Sequence, residues 1–189
     1  MKMKKLLTLT TGCAVLAATF AVPVQIRAAE NPPGYVDFGK FPETTGNQFV
    51  EVQINSNLIA MITKLAKSHE PEVADALNGL KRVRVNVIGL TDENRAEIEK
   101  KVKDIRKQLG AGGWEQIVTA QNKDDDVAVY VKTRGSDAIE GLVVTVLQAK
   151  REAVLVNIVG DIKPEKLSLV GERFNIEPLK KLGPNMARK

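Results

Sequence analysis

The second half of the chain is a succession of four strand-like runs joined by links short enough for hairpins. Between residues 114 and 160 the runs read WEQIVTAQ, DVAVYVKT, EGLVVTVLQ and AVLVNIVG, and the links between them read NKDD, RGSDAI and AKRE. Val-rich runs bounded by short polar links are typical of β-strands and their turns. Four strands in direct succession predict an antiparallel meander, against which the remaining elements must pack.

The first half predicts strands that alternate with helices. FVEVQI (49–54) and KRVRVNVI (81–88) alternate apolar with polar residues and predict strands, whereas SNLIAMITKLAK, PEVADALNGL and TDENRAEIEKKVKDIRKQLG predict helices. The third of these helices has the clearest period, and KPEKLSLVGERF predicts a closing helix. The order β-α-β-α-β-β-β-β-α predicts an α+β fold with a mixed sheet, an antiparallel C-terminal meander and helices on one face.

The amino terminus predicts export. MKMKK is followed by the apolar run LLTLTTGCAVLAATFAVPV and then by small residues, which is the pattern of a signal peptide over residues 1–28. Cys13 lies inside the apolar run, so membrane attachment is expected only if the signal stays uncleaved or Cys13 is lipidated. We predict a periplasmic or cell-envelope protein with a Pro/Gly-rich segment at 29–47, a single α+β domain at 48–173 and a basic tail at 174–189.

Removing the signal changes the charge of the chain. The full sequence has 28 Lys and Arg against 23 Asp and Glu, a net charge of +5. The signal carries four of the bases and no acid, so the mature chain has 24 against 23, or +1. A nucleic-acid partner is therefore not expected. The only cysteine leaves with the signal, which excludes disulfides, thiol catalysis and cysteine-ligated metal from the mature chain.

From the residues that could take part in catalysis or ligand binding, we expect no catalytic site, no metal site and no cofactor. Three consecutive carboxylates, Asp124–Asp126, favour a solvated hairpin turn, because neighbouring strand residues point to opposite faces. His69 is the single histidine and lies in a polar helix break. The alternative function is a periplasmic enzyme or small-ligand binder that uses the carboxylates near Asp161 and Asp137.

Two similar strings, VRVNVIGLT (83–91) and VLVNIVGDI (154–162), each predict a strand, an abrupt Gly and the start of a helix. A helix N-terminus after a Gly can bind an anion. Neither string has the glycines of a dinucleotide loop or the Lys and Ser/Thr of a phosphate loop. We interpret Gly89 and Gly160 as points where the backbone leaves the sheet rather than as a binding site.

The final strands also predict an interaction surface. If Val154, Val156 and Ile158 face the helices, the opposite side of the sheet, here called the reverse face, is too apolar to be left in water. Its candidate partner-binding residues are Tyr130, Val143, Thr145, Leu147, Leu155, Asn157 and Val159. The partner predicted for this non-enzymatic binding module is an unknown envelope protein or a second copy of the chain.

A segment within the chain could also cover the reverse face. Residues 30–47 are rich in Pro and Gly but carry Tyr35, Phe38 and Phe41 at a spacing of three. Disordered linkers are usually poor in aromatic residues. We therefore expect residues 34–42, here called the strap, to insert these rings into the reverse face. The tail FNIEPLKKLG or a ligand could serve as cover instead.

Four strings, VRVNVIG, VAVYVKTRG, EGLVVTVLQ and VLVNIVGDIKPEKL, resemble the exported bacterial family catalogued as domain of unknown function 4252. The resemblance covers about residues 48 to 171. It implies an envelope location and the same run of helix, strand and hairpins. It supplies no catalytic residues, because no reaction is established for that family.

Overall fold

A computed structural model describes residues 31–41, 48–135, 138–148 and 151–163 of the chain. These residues belong to one compact unit, which begins at Asn31. The predicted signal peptide, the closing helix, the basic tail and Asp137 lie outside the described residues.

The described elements follow the predicted order of strands and helices. They are β1 (Phe49–Asn55), α1 (Ser56–Ala66), α2 (Pro71–Leu77), β2 (Leu80–Gly89), α3 (Arg95–Ala111), β3 (Glu115–Gln121), β4 (Asp125–Arg134), β5 (Ala138–Gln148) and β6 (Glu152–Ile162). The six strands form one sheet in the order β1-β2-β6-β5-β4-β3. The α+β class and the meander of β3 to β6 are confirmed.

The sheet is antiparallel at every described pairing, not mixed as the sequence predicted. The reason lies in the connection between β1 and β2. Asn55, the last residue of β1, pairs with Arg82 near the start of β2. Helices α1 and α2 together return the chain to the end of the sheet where β1 finished. The result is an enlarged hairpin, whereas a parallel pair would need a crossover to the opposite end.

Helix α3 forms where the periodicity predicted it. Its four apolar positions are all buried: Ile98, Val102, Ile105 and Leu109. The turn before it is fixed by Asn94, which accepts a hydrogen bond from the Thr91 amide at 2.8 Å and donates one to the Gly89 carbonyl at 2.9 Å. The helix ends at Gly112, whose amide donates to the Gln108 and Leu109 carbonyls.

The two faces of the sheet carry separate apolar clusters. The reverse face packs against α3 and the strap in a cluster that includes Phe38, Val102 and Leu155. On the opposite side, here called the valine face, the buried residues of the second cluster all come from strands of the described part of the chain, Val144 and Val156 among them. The premise that Val154, Val156 and Ile158 face the helices is therefore wrong for α3.

Gly89 and Gly160, which occupy the same place in the two similar strings, have different roles. Gly89 ends β2, as expected. Gly160 lies inside β6, which continues to Ile162, so the prediction of a strand-leaving turn is wrong there. The β2–β6 register shifts between Leu80 and Arg82, opposite Gly160. Gly160 has φ +145°, and a Cβ at this position would lie 2.4 Å from the Gly79 carbonyl oxygen, so the bulge requires a glycine.

Candidate functional site

The reverse face binds the strap, of which residues 34–41 are described. Phe38 and Phe41 are 2% and 7% exposed and belong to the cluster beneath α3, so the predicted insertion of these rings is confirmed. Tyr35 is half-buried at the margin, where the Arg82 guanidinium lies 4.7 Å from its ring centroid. The groove between α3 and strand β2 is therefore filled by a segment of the same chain.

Asn157 on β6 binds the backbone of the strap. Its Oδ1 accepts a hydrogen bond from the Val36 amide at 3.0 Å, and its Nδ2 donates to the Gly34 carbonyl at 3.0 Å. A further hydrogen bond from Nδ2 to the Leu142 carbonyl, at 3.2 Å, orients the amide group. The fully buried Asn157 thus satisfies both polar groups of a peptide backbone in an interior where they would otherwise lack partners.

Gly34 allows the strap to lie flat against the sheet. Its φ is +85°, a conformation that favours glycine, and a Cβ at this position would lie 2.0 Å from the Glu140 carbonyl oxygen. Any side chain here would lift the strap away from Asn157.

Arg84 on β2 holds the middle of the strap. Its guanidinium pairs with Asp37 at 3.1 Å and with Glu51 of β1 at 3.0 Å, and it donates to the Gly39 carbonyl at 3.3 Å. The Gly39 amide and then the Arg84 guanidinium lower the pKa of the Asp37 carboxyl below its ordinary value. The Arg84 side chain is 7% exposed, so these partners compensate a positive charge that is buried away from water.

Lys101 on α3 closes the far end of the strap. Its Nζ donates a hydrogen bond to the Lys40 carbonyl and lies 4.0 Å from the centroid of the Phe41 ring. Burial lowers the pKa of Lys101 from its ordinary value. Three side chains from three elements therefore bind backbone carbonyls of the strap: Asn157, Arg84 and Lys101.

A cleft of about 560 Å³ opens between the strap and strand β1. Three aromatic rings line it, together with one amide side chain and charged side chains of both signs. The lining residues are Tyr35, Asp37, Gly39, Lys40, Phe41, Phe49, Glu51, Gln53 and Arg84. This mixture of rings and polar groups suits an amphipathic peptide better than a small apolar ligand.

A second ionic contact fixes α3 on the reverse face. Arg106 donates to Thr145 Oγ1 at 2.9 Å and to both carboxylate oxygens of Asp126, at 3.0 and 2.8 Å. Asp126 is therefore not the solvated turn residue that the sequence predicted. In the turn itself, Asn122 Oδ1 accepts from the Asp124 and Asp125 amides. Beside this pair, burial raises the pKa of Tyr130.

The predicted partner-binding residues lie beneath α3 and the strap or next to them. Six of the seven are buried, at 5% exposure or less: Tyr130, Val143, Thr145, Leu155, Asn157 and Val159. Leu147 is partly buried against the same cluster. Their role in binding a partner stays a prediction, and a partner could reach most of them only by displacing what covers them.

The sequence analysis did not identify the charged residues of the groove, although the pattern of strand β2 indicates where they lie. In KRVRVNVI, strand alternation puts Arg82, Arg84 and Asn86 on the reverse face, opposite the valines. Polar residues that alternate with valines usually face solvent. Instead Arg84 is 6% exposed and Asn86 is 0% exposed. Arg84 is covered by the strap, which contacts it through Asp37 and Gly39.

Asn86 and Asn157 occupy equivalent places in the twin strings but differ in their contacts. Both are fully buried on the reverse face. Asn157 uses both ends of its amide on the strap and on β5. Neither Nδ2 nor Oδ1 of Asn86 has a hydrogen-bond partner among the described residues. A buried amide without partners costs free energy of folding, about 1–3 kcal/mol for each unsatisfied group.

The alternative carboxylate site has little structural support in the described part of the chain. Asp161 is exposed, its amide donates to the Gly79 carbonyl, and the nearby cavity measures about 60 Å³. His69 is exposed in the turn after α1. The described ranges contain no group of three or more His, Cys, Asp or Glu residues that could hold a metal ion. Within the same ranges, no helix is long and apolar enough to cross a membrane.

Comparison with known proteins gives one result. A family model described as "Domain of unknown function (DUF4252)" matches residues 44–170. No curated protein and no solved structure matches the chain. The matched range includes all six strands, Arg84, Asn86 and Asn157, but it leaves out residues 34–41 of the strap.

Proposed function

The chain belongs to the family described as domain of unknown function 4252, which names no activity, and we therefore propose a function from the geometry of the groove. The protein is an exported, non-enzymatic binding module of the cell envelope. It takes up an extended peptide segment of a partner protein in the groove that its own strap occupies, by exchange with the strap.

One observation carries this proposal: the groove recognises peptide backbone. Asn157 binds the amide of Val36 and the carbonyl of Gly34, residues more than a hundred positions away in sequence. Arg84 and Lys101 bind the carbonyls of Gly39 and Lys40. Contacts of this kind do not depend on the side chains of the bound segment. A foreign segment with two large apolar residues at the spacing of the two Phe rings fits the same groove.

The contributions that stabilise the bound strap nearly cancel the cost of ordering it, which favours exchange. Burying two Phe rings contributes roughly 1.5–3 kcal/mol each. The hydrogen bonds from Asn157, Arg84 and Lys101 contribute about 1 kcal/mol each. Ordering eight residues opposes this at about 1–2 kcal/mol per residue. These opposing contributions are of similar size, so a partner displaces the strap when its binding exceeds the small net free energy of the strap and the advantage of the tether.

The test uses the strap itself as the probe. A labelled peptide with the sequence of residues 31–41, NPPGYVDFGKF, is titrated into the full chain carrying Phe38→Ala, which weakens the internal strap. We expect saturable binding by fluorescence anisotropy. Binding to the wild-type chain should be much weaker, because the tethered strap competes for the same groove.

Two controls separate groove binding from nonspecific adhesion. A peptide of the same length with alanine in place of both Phe residues should not bind. The chain carrying Asn157→Leu also has a loosened strap, but it has lost the side chain that binds the backbone, so it should not bind the peptide. Equal binding by the Phe38→Ala and Asn157→Leu chains would refute the proposal, as would no binding by either.

A further inference from the structure

The exposed apolar surface of the molecule is concentrated at one end of the sheet. All the large apolar side chains that are exposed in the described ranges belong to β1 and α1, within residues 50–65. They are Val50, Val52, Leu58, Met61 and Leu65. Strand β1 is at an edge of the described sheet, and its residues from Val50 to Gln53 are all exposed. An exposed edge strand with apolar side chains is a template for pairing with another strand.

The two edges of the sheet differ in how they are protected. At the β3 edge the register with β4 shifts between Gln116 and Val118, and such a bulge twists an edge away from pairing. Strand β1 pairs with β2 without interruption from Phe49 to Asn55. Its sequence FVEVQIN contains no Pro and no Lys, and Glu51 is its single charge. Within the described residues, edge β1 therefore lacks the features that usually prevent pairing with another strand.

The hydrogen-bond phase of β1 shows which of its amides point outward. The Gly89 amide donates to the Gln48 carbonyl at 2.7 Å, and these residues follow the Phe49–Ile88 pair in the register. In an antiparallel ladder the residues that bond a given neighbour alternate. Even-numbered residues of β1 therefore bond β2. Odd-numbered residues, such as Glu51 and Gln53, direct their amides and carbonyls away from the sheet.

We propose that β1 pairs antiparallel with β1 of a second copy of this chain, about a two-fold axis through Val52. The two sheets then continue into one. In this register Val52 lies opposite its own counterpart, Val50 lies opposite Ile54 of the second copy, and Glu51 lies opposite Gln53. Apolar residues meet apolar residues on the valine face, and an amide meets the carboxylate on the reverse face.

The chemistry of Glu51 and Gln53 selects this register. Within one chain Gln53 Nε2 already donates to Glu51 Oε1 at 2.5 Å, so the two groups are matched as donor and acceptor. An axis through Glu51 would place two carboxylates opposite each other, which is destabilising. An axis through Gln53 would pair Val50 with Ser56, which begins α1. A shift by one residue would join the valine face of one copy to the reverse face of the other.

A cysteine pair tests the axis directly. Val52 is 40% exposed and Val50 is 39% exposed, so the two positions are matched. The background is the full-length sequence with Cys13→Ser, because Cys13 is the only cysteine. On the axis, Val52 and its counterpart form a non-hydrogen-bonded pair about 4.5 Å apart between Cα atoms, within the range for a disulfide. Val50 is displaced from its counterpart by four residues, or about 13 Å.

We expect Val52→Cys to give a disulfide-linked dimer under mild oxidation and Val50→Cys to remain unlinked. Analytical ultracentrifugation should show a dimer for the wild-type chain and a monomer for Gln53→Pro. The proline removes an outward amide while it leaves the β1–β2 hydrogen bonds intact, which unchanged circular dichroism would verify. A monomeric wild-type chain, equal crosslinking at both positions, or a dimeric Gln53→Pro variant would overturn the proposal. No readout here involves the strap peptide, so failure leaves the proposed function standing.

Discussion

Asn157→Leu should lower the stability of the protein, whereas Asn86→Leu, at the equivalent place on β2, should raise it. Leucine has the same number and branching of side-chain heavy atoms as asparagine but cannot form hydrogen bonds. In Asn157→Leu, the Val36 amide and the Gly34 carbonyl lose their partner and the strap loses its main contact with β6. In Asn86→Leu, no hydrogen bond among the described residues is lost, and two unsatisfied buried atoms are removed.

The magnitudes follow from these contacts. Each lost hydrogen bond costs about 1 kcal/mol, and each buried group left without a partner costs about 1–3 kcal/mol. Asn157→Leu should therefore lower the free energy of unfolding by roughly 2–5 kcal/mol, with the strap released at the upper end of that range. Asn86→Leu should raise it by about 1–3 kcal/mol, less any cost of fitting the slightly larger side chain.

Thermal and urea unfolding at neutral pH measure the difference. At about 2–4 °C per kcal/mol for a protein of this size, Tm should fall by roughly 5–15 °C in Asn157→Leu and rise by a few degrees in Asn86→Leu. Hydrogen exchange at the Val36 amide locates the effect, since this amide should lose protection only in Asn157→Leu. Equal destabilisation by both substitutions, or a protected Val36 amide in Asn157→Leu, would show that the reasoning about the strap is wrong.

Three further predictions concern other contacts of the reverse face. Gly34→Ala should expose the strap to limited proteolysis, because its Cβ would meet the Glu140 carbonyl; Gly135→Ala, with φ +66° and no atom within 4 Å of its Cβ, should leave the strap protected. Arg106→Met should lower Tm by roughly 2–10 °C, since it leaves the partly buried Asp126 carboxylate unpaired, and an unchanged Tm would contradict this. The lowered pKa of Asp37 adds stability that is present above the unfolded pKa and is lost as pH falls through the folded pKa; Asp37→Asn should abolish that acid-side loss in pH-dependent unfolding, and an identical pH profile would speak against it.

Patterns that depend on one element were predictable from the sequence. The period of α3 and the alternation of β4, β5 and β6 are properties of short stretches, and they gave the correct elements. The Phe residues of the strap were also identified, because large rings in a Pro/Gly-rich segment need an apolar surface to bury them.

Apart from the strap on the reverse face, most relations between distant elements were not predictable. Both faces of the sheet are apolar enough to receive α3. On the reverse face Arg106 of α3 pairs with Asp126 and Thr145, a contact that no single stretch of sequence reveals. Arg84 and Asn86 alternate with valines in the way that solvent-facing residues do. Arg84 is buried because the strap contacts it from 45 and 47 positions away in the sequence. The bulge at Gly160 similarly depends on how β6 meets β2.

The position of β6 determines when this protein can fold. The strand comes last among the described elements, yet it lies between β2 and β5 in the middle of the sheet. Until it arrives, the chain consists of a β1–β2 pair and a separate β3–β4–β5 group, each with an open inner edge. A two-stranded pair is at best marginally stable in water, and closure over such a long sequence separation is slow. The chain must therefore be complete to Ile162 before the six-stranded sheet can form. A chain that ends before β6 would present two unpaired edges that attract other chains.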